Sequence, residues 1–381
     1  MTLFALSMIA LVIYVYFGYF ALVIVLAQII RRKVYQREIQ PSVALMIAAY
    51  NEEQGIAKKI DNSLQLLYPK EKLRIIIVSD GSTDRTDEIV KSYAHAGVEL
   101  IRVEGRVGKT EARNVAIKEI DSEIVLFSDA TTEYRPDIIK KMVRNFADPE
   151  VGMVTGHLIY RNDQNSPMGL GQKLFWKYES LIKNAQTKLG TLTGSVGCAT
   201  SFRRILYSPL PANIIEDFTE PLMFVIKGKR VVYEPEAICY ELPTPKSQNE
   251  WKMRVRVVRG GMSGMLYAKK ILNPLRYPVA SFQLISHKIL RWLVPVFGIC
   301  ILLATLGAII LTPNPIAIAL ALLQLVFYAC AAVAFILEKK GVKIKILSIP
   351  LYFIVLNAAS LVALYKTITT QLEATWETDR G

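Results

Sequence analysis

Histidine and cysteine are both scarce: the 381 residues contain three histidines and four cysteines. So few histidines make a His-built metal site or a His-dependent catalytic triad improbable. Cys198, Cys239, Cys300 and Cys330 show no metal-ligand spacing, and two of them fall in long apolar runs. That usage suits a reduced, cytoplasmic polar domain. Neither G-x-G-x-x-G nor G-x-x-x-x-G-K-[ST] occurs, so dinucleotide-binding and P-loop readings lack their fingerprints. The net charge is +13, yet no basic patch is interleaved with aromatics and no named nucleic-acid motif appears. Anchoring at an anionic membrane surface explains the excess more simply, and nucleic acid is excluded as a partner.

Long apolar runs are plentiful. Residues 3–30 carry no charge, and as a helix they extend about 42 Å, more than the roughly 30 Å hydrocarbon core. The run is too long for a cleaved signal peptide and reads as a retained transmembrane helix. Three further candidates are residues 292–311, 316–337 and 346–365; the last contains Pro350 and Asn357, so a re-entrant course stays open for it. "RRKVYQR" after the first run and "EKKGVKIK" between the last two place those flanks in the cytoplasm, and the polar middle with them. If all three late segments cross, the C-terminal tail lies outside. The expected organisation is a transmembrane helix and basic flank (1–37), a cytoplasmic domain (38–270), an interfacial helix region (271–291), three transmembrane helices (292–366) and a tail (367–381).

Within the polar middle, apolar runs feed polar turns and then helical patterns. "SVALMIAAYNEEQGIAKKIDNSL" and "LRIIIVSDGSTDRTDEIVKSYA" share this order, with Ser82 or Thr83 as N-cap of the second helix. "SEIVLFSDA" and "VGMVTGHLIY" supply two more strands, each after a helical segment. The alternation predicts an α/β fold with a Rossmann-like, mostly parallel sheet. Ligands of such sheets collect at the carboxyl ends of strands. Asn51 and Glu52, Asp80 and Asp129 stand at three such ends. One loop aspartate is ordinarily a turn former or helix cap, but three equivalent strand ends point to one shared site, with a nucleotide as the default ligand.

"AAYNEE", "VSDGSTD", "GKTEARN", "SDATTEYRPD" and "IIEDF" occur in the order and spacing of family 2 glycosyltransferases of the GT-A fold. With its membrane frame the chain resembles hyaluronan, chitooligosaccharide, poly-N-acetylglucosamine and cellulose synthases over about residues 41–265. The resemblance implies an inverting enzyme in which an acceptor hydroxyl displaces the diphosphate of a UDP-sugar. It lays Ala49, Tyr50 and Glu52 against the nucleoside and turns Asp80 to the uracil, with Arg106 and Lys109 nearby. It makes Asp217 the general base, with Glu216 beside it; the alternative is a capping box formed by Asp217 and Glu220. It also implies a divalent cation, Mg2+ or Mn2+, at an Asp-x-Asp pair. Here that pair reads Asp129-Ala130-Thr131, so Thr131 stands where the second carboxylate belongs, and weaker metal affinity follows.

A Gln-x-x-Arg-Trp motif of the relatives is degenerate here. Arg256 survives, Val257 replaces the acceptor-stacking tryptophan, and Arg254, Arg256 and Arg259 form a cluster suited to a diphosphate or to lipid headgroups. "QKLFWKYES" matches an acceptor region, offering Trp176, Tyr178 and Glu179, although the i, i+2 spacing puts Trp176 and Tyr178 on different helix faces. The Gly/Ser/Thr-rich stretch 190–204 would approach the acceptor cleft, and 242–251 has the composition of a mobile gating loop. The tail "ATWETDR" resembles an ending of the relatives. The expected product is a polysaccharide or glycolipid made at the cytoplasmic face of the inner membrane, among membrane lipids, with a homo-oligomer allowed. Single-sugar transfer to a polyprenyl phosphate or diacylglycerol is the alternative, favoured by Val257. A non-catalytic nucleotide-binding subunit would be supported by Thr131 alone. A transporter fails for want of a repeated helical bundle.

Overall fold

The computed structural model describes residues 1–161, 169–241, 247–342, 344 and 346–370. The first part of the 242–251 loop and the "ATWETDR" tail lie outside these residues. Among the described residues eight strands make one sheet: β1 (Val43–Ala49), β2 (Leu73–Asp80), β3 (Val98–Val103), β4 (Ile124–Asp129), β5 (Glu133–Tyr134), β6 (Val151–Tyr160), β7 (Thr200–Arg203) and β8 (Arg230–Glu241). Their order is β3-β2-β1-β4-β7-β6-β8-β5. The β3-β2-β1-β4 half is parallel, β7 runs antiparallel to both neighbours, and β6 and β8 are parallel. The α/β, mostly parallel expectation therefore holds, and the wholly parallel half carries the strand-end acids. Strand β3 was not anticipated; it is a partly exposed edge strand.

Side chains alternate across the pleat. Val43, Leu45, Ile47 and Ala49 of β1 enter one core with helices α2 (Ile56–Leu64), α3 (Thr86–Ser92) and α5 (Ile138–Val143). Ala44 and Met46 enter the other with α4 (Lys109–Ala116) and α7 (Glu216–Ile226). Helix α3 is capped by neither Ser82 nor Thr83. The Asp84 carboxylate accepts from Thr86 N at 2.9 Å, while Ser82 and Thr83 are taken up by Asn51 of the neighbouring loop.

Among the described residues four helices are long and apolar enough to cross a membrane: α1 (Thr2–Ile30), α9 (Pro278–Leu311), α10 (Pro315–Lys339) and the last, α11 (Ser348–Thr369). The expected interfacial region has no boundary at 291, because α9 runs on from Pro278 through a π-helical turn at Ile285–Ile289. Helix α6 (Gly169–Leu189) packs Ile182, Ala185 and Leu189 against Tyr19, Val23 and Ala27 of α1, which joins the membrane frame to the domain. Helix α8 (Ser247–Tyr267) lies along α11, with Val255 against Ala359 and Ala363.

Candidate active site

The carboxyl ends of β1, β2 and β4 converge with the start of α7. Asn51 adopts a left-handed backbone (φ 52°), donates its amide to Ser82 Oγ at 3.2 Å and accepts from Thr83 N at 2.8 Å. These bonds tie the first two strand-end loops together. Glu52 joins the same network, its N donating to Thr86 Oγ1 at 2.8 Å. Asp80 accepts from Val107 N at 2.8 Å and Gly108 N at 2.9 Å. Burial raises its pKa, and those two amides oppose the rise. Asp80 thus orders the 105–108 turn that delivers Arg106 and Lys109. Gly81 is needed there, since a Cβ would overlap the Gly105 carbonyl and φ is +67°. The Arg106 guanidinium covers the Tyr50 ring at 4.2 Å, beside the buried Ala49, which forms one aromatic and basic wall.

Beyond this wall lies an ionic cluster. Lys109 Nζ is 2.6 Å from Asp129 Oδ1 and 3.2 Å from Glu216 Oε1. Arg113, one helical turn along α4 and 1 % exposed, reaches Glu216 Oε1 at 3.0 Å and Asp129 Oδ1 at 3.8 Å, with its guanidinium over the Phe127 ring. Arg113 was not singled out in the sequence, although its i, i+4 spacing from Lys109 is the signal that finds it. Burial would raise Glu216, but Lys109 and Arg113 hold it well below the usual carboxylate range. Asp129 behaves alike: burial opposes, and Lys109 and Arg113 prevail and lower it.

Asp217 differs. Burial and the neighbouring Glu216 charge raise it to about 6, against Lys109 and Arg113. Its Oδ1 has no hydrogen-bond partner, and α7 begins with no side-chain cap, so the capping box does not form. Ser195 N and Oγ donate to the Asp217 carbonyl at 3.0 and 2.8 Å. A Cβ on Gly197 would overlap the Asp217 carboxylate, so the Gly-rich 190–204 stretch does press on the acid. Glu220, one turn on, is also buried; burial raises it to about 8 and keeps it protonated at neutral pH.

Other expected residues are placed elsewhere. Trp176 lies against Tyr160 with ring centroids 5.8 Å apart, on the sheet side of α6. Tyr178 turns to the membrane helix, stacking on Phe20 at 5.1 Å and donating to the Tyr16 carbonyl. Glu179 is buried against His287 and Arg291 of α9. Arg254 donates to the Tyr352 hydroxyl, and Arg259 donates to Thr370, both on the α11 side. Arg256 falls, by helical spacing, on the side of α8 shared with Gly260, whose backbone abuts Ile215 just before Glu216.

The oxygen donors at the end of β4 are the Asp129 carboxylate, 30 % exposed, and the exposed Thr131 two residues on. Among the described residues no three His, Cys, Asp or Glu side chains converge on a cation position. One carboxylate and one hydroxyl, all hard oxygen, fit Mg2+ or Mn2+ that draws its other ligands from water and a diphosphate.

The mostly parallel sheet, with its polar strand ends and buried acidic pair, has the GT-A fold, joined among the described residues to four helices long and apolar enough to span a membrane. Residues 44–209 match the family profile described as "Glycosyl transferase family 2". The chain is 33 % identical over 233 residues to the poly-beta-1,6-N-acetyl-D-glucosamine synthase of Staphylococcus aureus strain COL, covering 59 % of this chain and 55 % of that one. The Staphylococcus epidermidis synthase is 30 % identical over the same extent. The chain thus spans about half the length of the curated relatives it matches. Among solved structures, a mannosyltransferase from Pyrobaculum calidifontis, in complex with GDP-mannose and Mn2+, superposes with TM-score 0.72 at 23 % identity, over 96 % of this chain and 99 % of that one. At this identity the likeness speaks for the fold.

Proposed function

We propose that the protein transfers a sugar from a UDP-sugar to a growing polysaccharide or glycolipid acceptor with inversion, Asp217 acting as general base. The observation that carries this reading is the unequal acidic pair. Glu216 is neutralised by Lys109 and Arg113, while Asp217 keeps an unpartnered oxygen and a pKa of about 6. A carboxylate poised there is mostly ionised at neutral pH yet basic enough to accept a hydroxyl proton. The acceptor oxygen attacks the anomeric carbon opposite the diphosphate, its proton passes to Asp217, and the configuration inverts. Tyr50, Arg106 and Glu52 hold the nucleoside; Lys109 and Arg256 face the diphosphate. A divalent cation held by Asp129 and Thr131 would supply further charge neutralisation to the leaving diphosphate. The staphylococcal relatives make UDP-N-acetylglucosamine the first donor to try. The basic flanks at 31–37 and 338–345 favour a cytoplasmic domain.

Single-sugar transfer to a lipid is the second reading. It rests on Val257, 51 % exposed on α8 in place of an acceptor-stacking tryptophan. Product length separates the two. The test of the main reading is UDP release by the full chain in lipid nanodiscs, over a panel of UDP-sugars, with Mn2+, Mg2+ or EDTA. One donor should support release, and Asp217→Asn should abolish it. Undiminished release by that variant would remove Asp217 from the chemistry.

A further inference from the structure

Two π-helical turns meet at the junction of membrane and domain. Tyr14, in the π turn of α1 (Tyr14–Gly18), hydrogen-bonds Ser286, in the π turn of α9, at 2.9 Å. Such turns are rare and cluster at functional sites. Between them and α6 lies a cluster of charged side chains that the sugar chemistry does not use. Glu179, 6 % exposed, accepts from Arg291 at 2.6 Å and lies 3.2 Å from His287 Nε2.

That one carboxylate is consumed by Arg291. Lys183, one turn after Glu179, and Lys288, beside His287, add two positive charges. Among the described residues neither lysine forms an ion pair, and Glu179 is a carboxylate that acts on both. Lys183 instead lies over the Trp176 ring at 5.2 Å. Burial lowers it to about 8, so it still holds its proton at neutral pH. Unmatched charge in a low-dielectric junction is costly, and an anion relieves it.

We propose that Lys183, Lys288 and Arg291 hold the phosphate monoester headgroup of a membrane lipid, its tail running along α1 and α9. A monoester carries close to two negative charges at neutral pH, which matches the two unpaired lysines. The site is also connected to the catalytic centre. Phe218, next to Asp217, packs on Trp292, next to Arg291, with ring centroids 5.7 Å apart. The headgroup is either that of an isoprenoid monophosphate or that of a diacylglycerol phosphate. The proposal goes beyond sugar transfer and stands whether or not Asp217 is the base.

The test is lipid retention by the full chain in detergent, read by native mass spectrometry with farnesyl phosphate, dioleoyl phosphatidic acid and dioleoyl phosphatidylcholine. Both monoesters should be retained at least about tenfold better than the zwitterionic diester, and Lys288→Met and Lys183→Met should each cost about tenfold, as loss of a charged hydrogen bond does. Lys288→Arg should retain binding, and UDP affinity should be unchanged in all three variants, which reports an intact fold. Competition between the two monoesters names the source of the headgroup. Equal retention of all three lipids, no retention, or monoester binding untouched by both methionine variants overturns the site.

Discussion

Lys109 Nζ stands 2.6 Å from Asp129 Oδ1, and the same ammonium reaches Glu216 at 3.2 Å. One side chain therefore links the end of β4, where a diphosphate would sit, to the acidic pair at the start of α7. Burial and Arg113 push its pKa down, but Asp129 and Glu216 outweigh them and raise it, so the charge is permanent at physiological pH. Lys109→Met removes the ammonium that Asp129 and Glu216 share and leaves Arg113 as their counter-charge. The expected result is a loss of about 10²–10³ in kcat/KM, the scale of a deleted transition-state donor, with Lys109→Arg recovering part of it. Steady-state UDP release checks this; a Lys109→Met enzyme of normal activity would show that the ammonium is only structural.

The acidic pair predicts a pH profile. Asp217 must be ionised to act, so kcat/KM should rise through about pH 6 and level off above it. Asp217→Asn should fall by about 10²–10⁴ and lose that limb. Gly197→Ala is the geometric counterpart, because its methyl would displace the Asp217 carboxylate. It should lower kcat while donor KM stays near wild type, measured on the same assay.

Glu220 should govern stability instead. Its folded pKa, about 8, lies above its unfolded value, so the folded state holds a proton that the unfolded state has released. Stability from this group is fully present at pH 4 and is lost progressively until about pH 8, where the decline ends. Glu220→Gln removes that penalty. Thermal unfolding should show the variant more stable than wild type at pH 8 and no more stable at pH 4.

The parts of this architecture legible in the sequence were those fixed by local pattern. Strands β1, β2 and β4 are buried on both faces, so each reads as an unbroken apolar run, and its terminal Asn51, Asp80 or Asp129 is conspicuous. Strand β3 is partly exposed at the sheet edge, and its sequence VELIRV breaks the run with Glu99 and Arg102. Helical spacing separated Trp176 from Tyr178, but it did not say that the partner of Tyr178 and Glu179 is the membrane frame. The same applies to Arg254 and Arg259, whose acceptors, Tyr352 and Thr370, lie about a hundred residues away. Arg113 sat inside a quoted motif, and only the burial of its guanidinium against Glu216 and Phe127 marks it.

Thr131 leads to the last prediction. The end of β4 offers one carboxylate to a divalent cation, and Lys109 already occupies Oδ1 of it. Affinity for Mg2+ or Mn2+ follows ligand charge, so half-maximal activation of UDP release should require millimolar metal. Thr131→Asp places a second carboxylate on an exposed position with no core to disturb. The half-activating Mn2+ concentration should then fall at least about tenfold, the equivalent of about 1.4 kcal/mol. Lys109→Met, tested beside it, should also tighten Mn2+ by releasing Asp129, while lowering the maximal rate. If Thr131→Asp leaves the metal titration unchanged, the cation is not bound at this strand end, and Lys109 and Arg256 carry the neutralisation of the diphosphate.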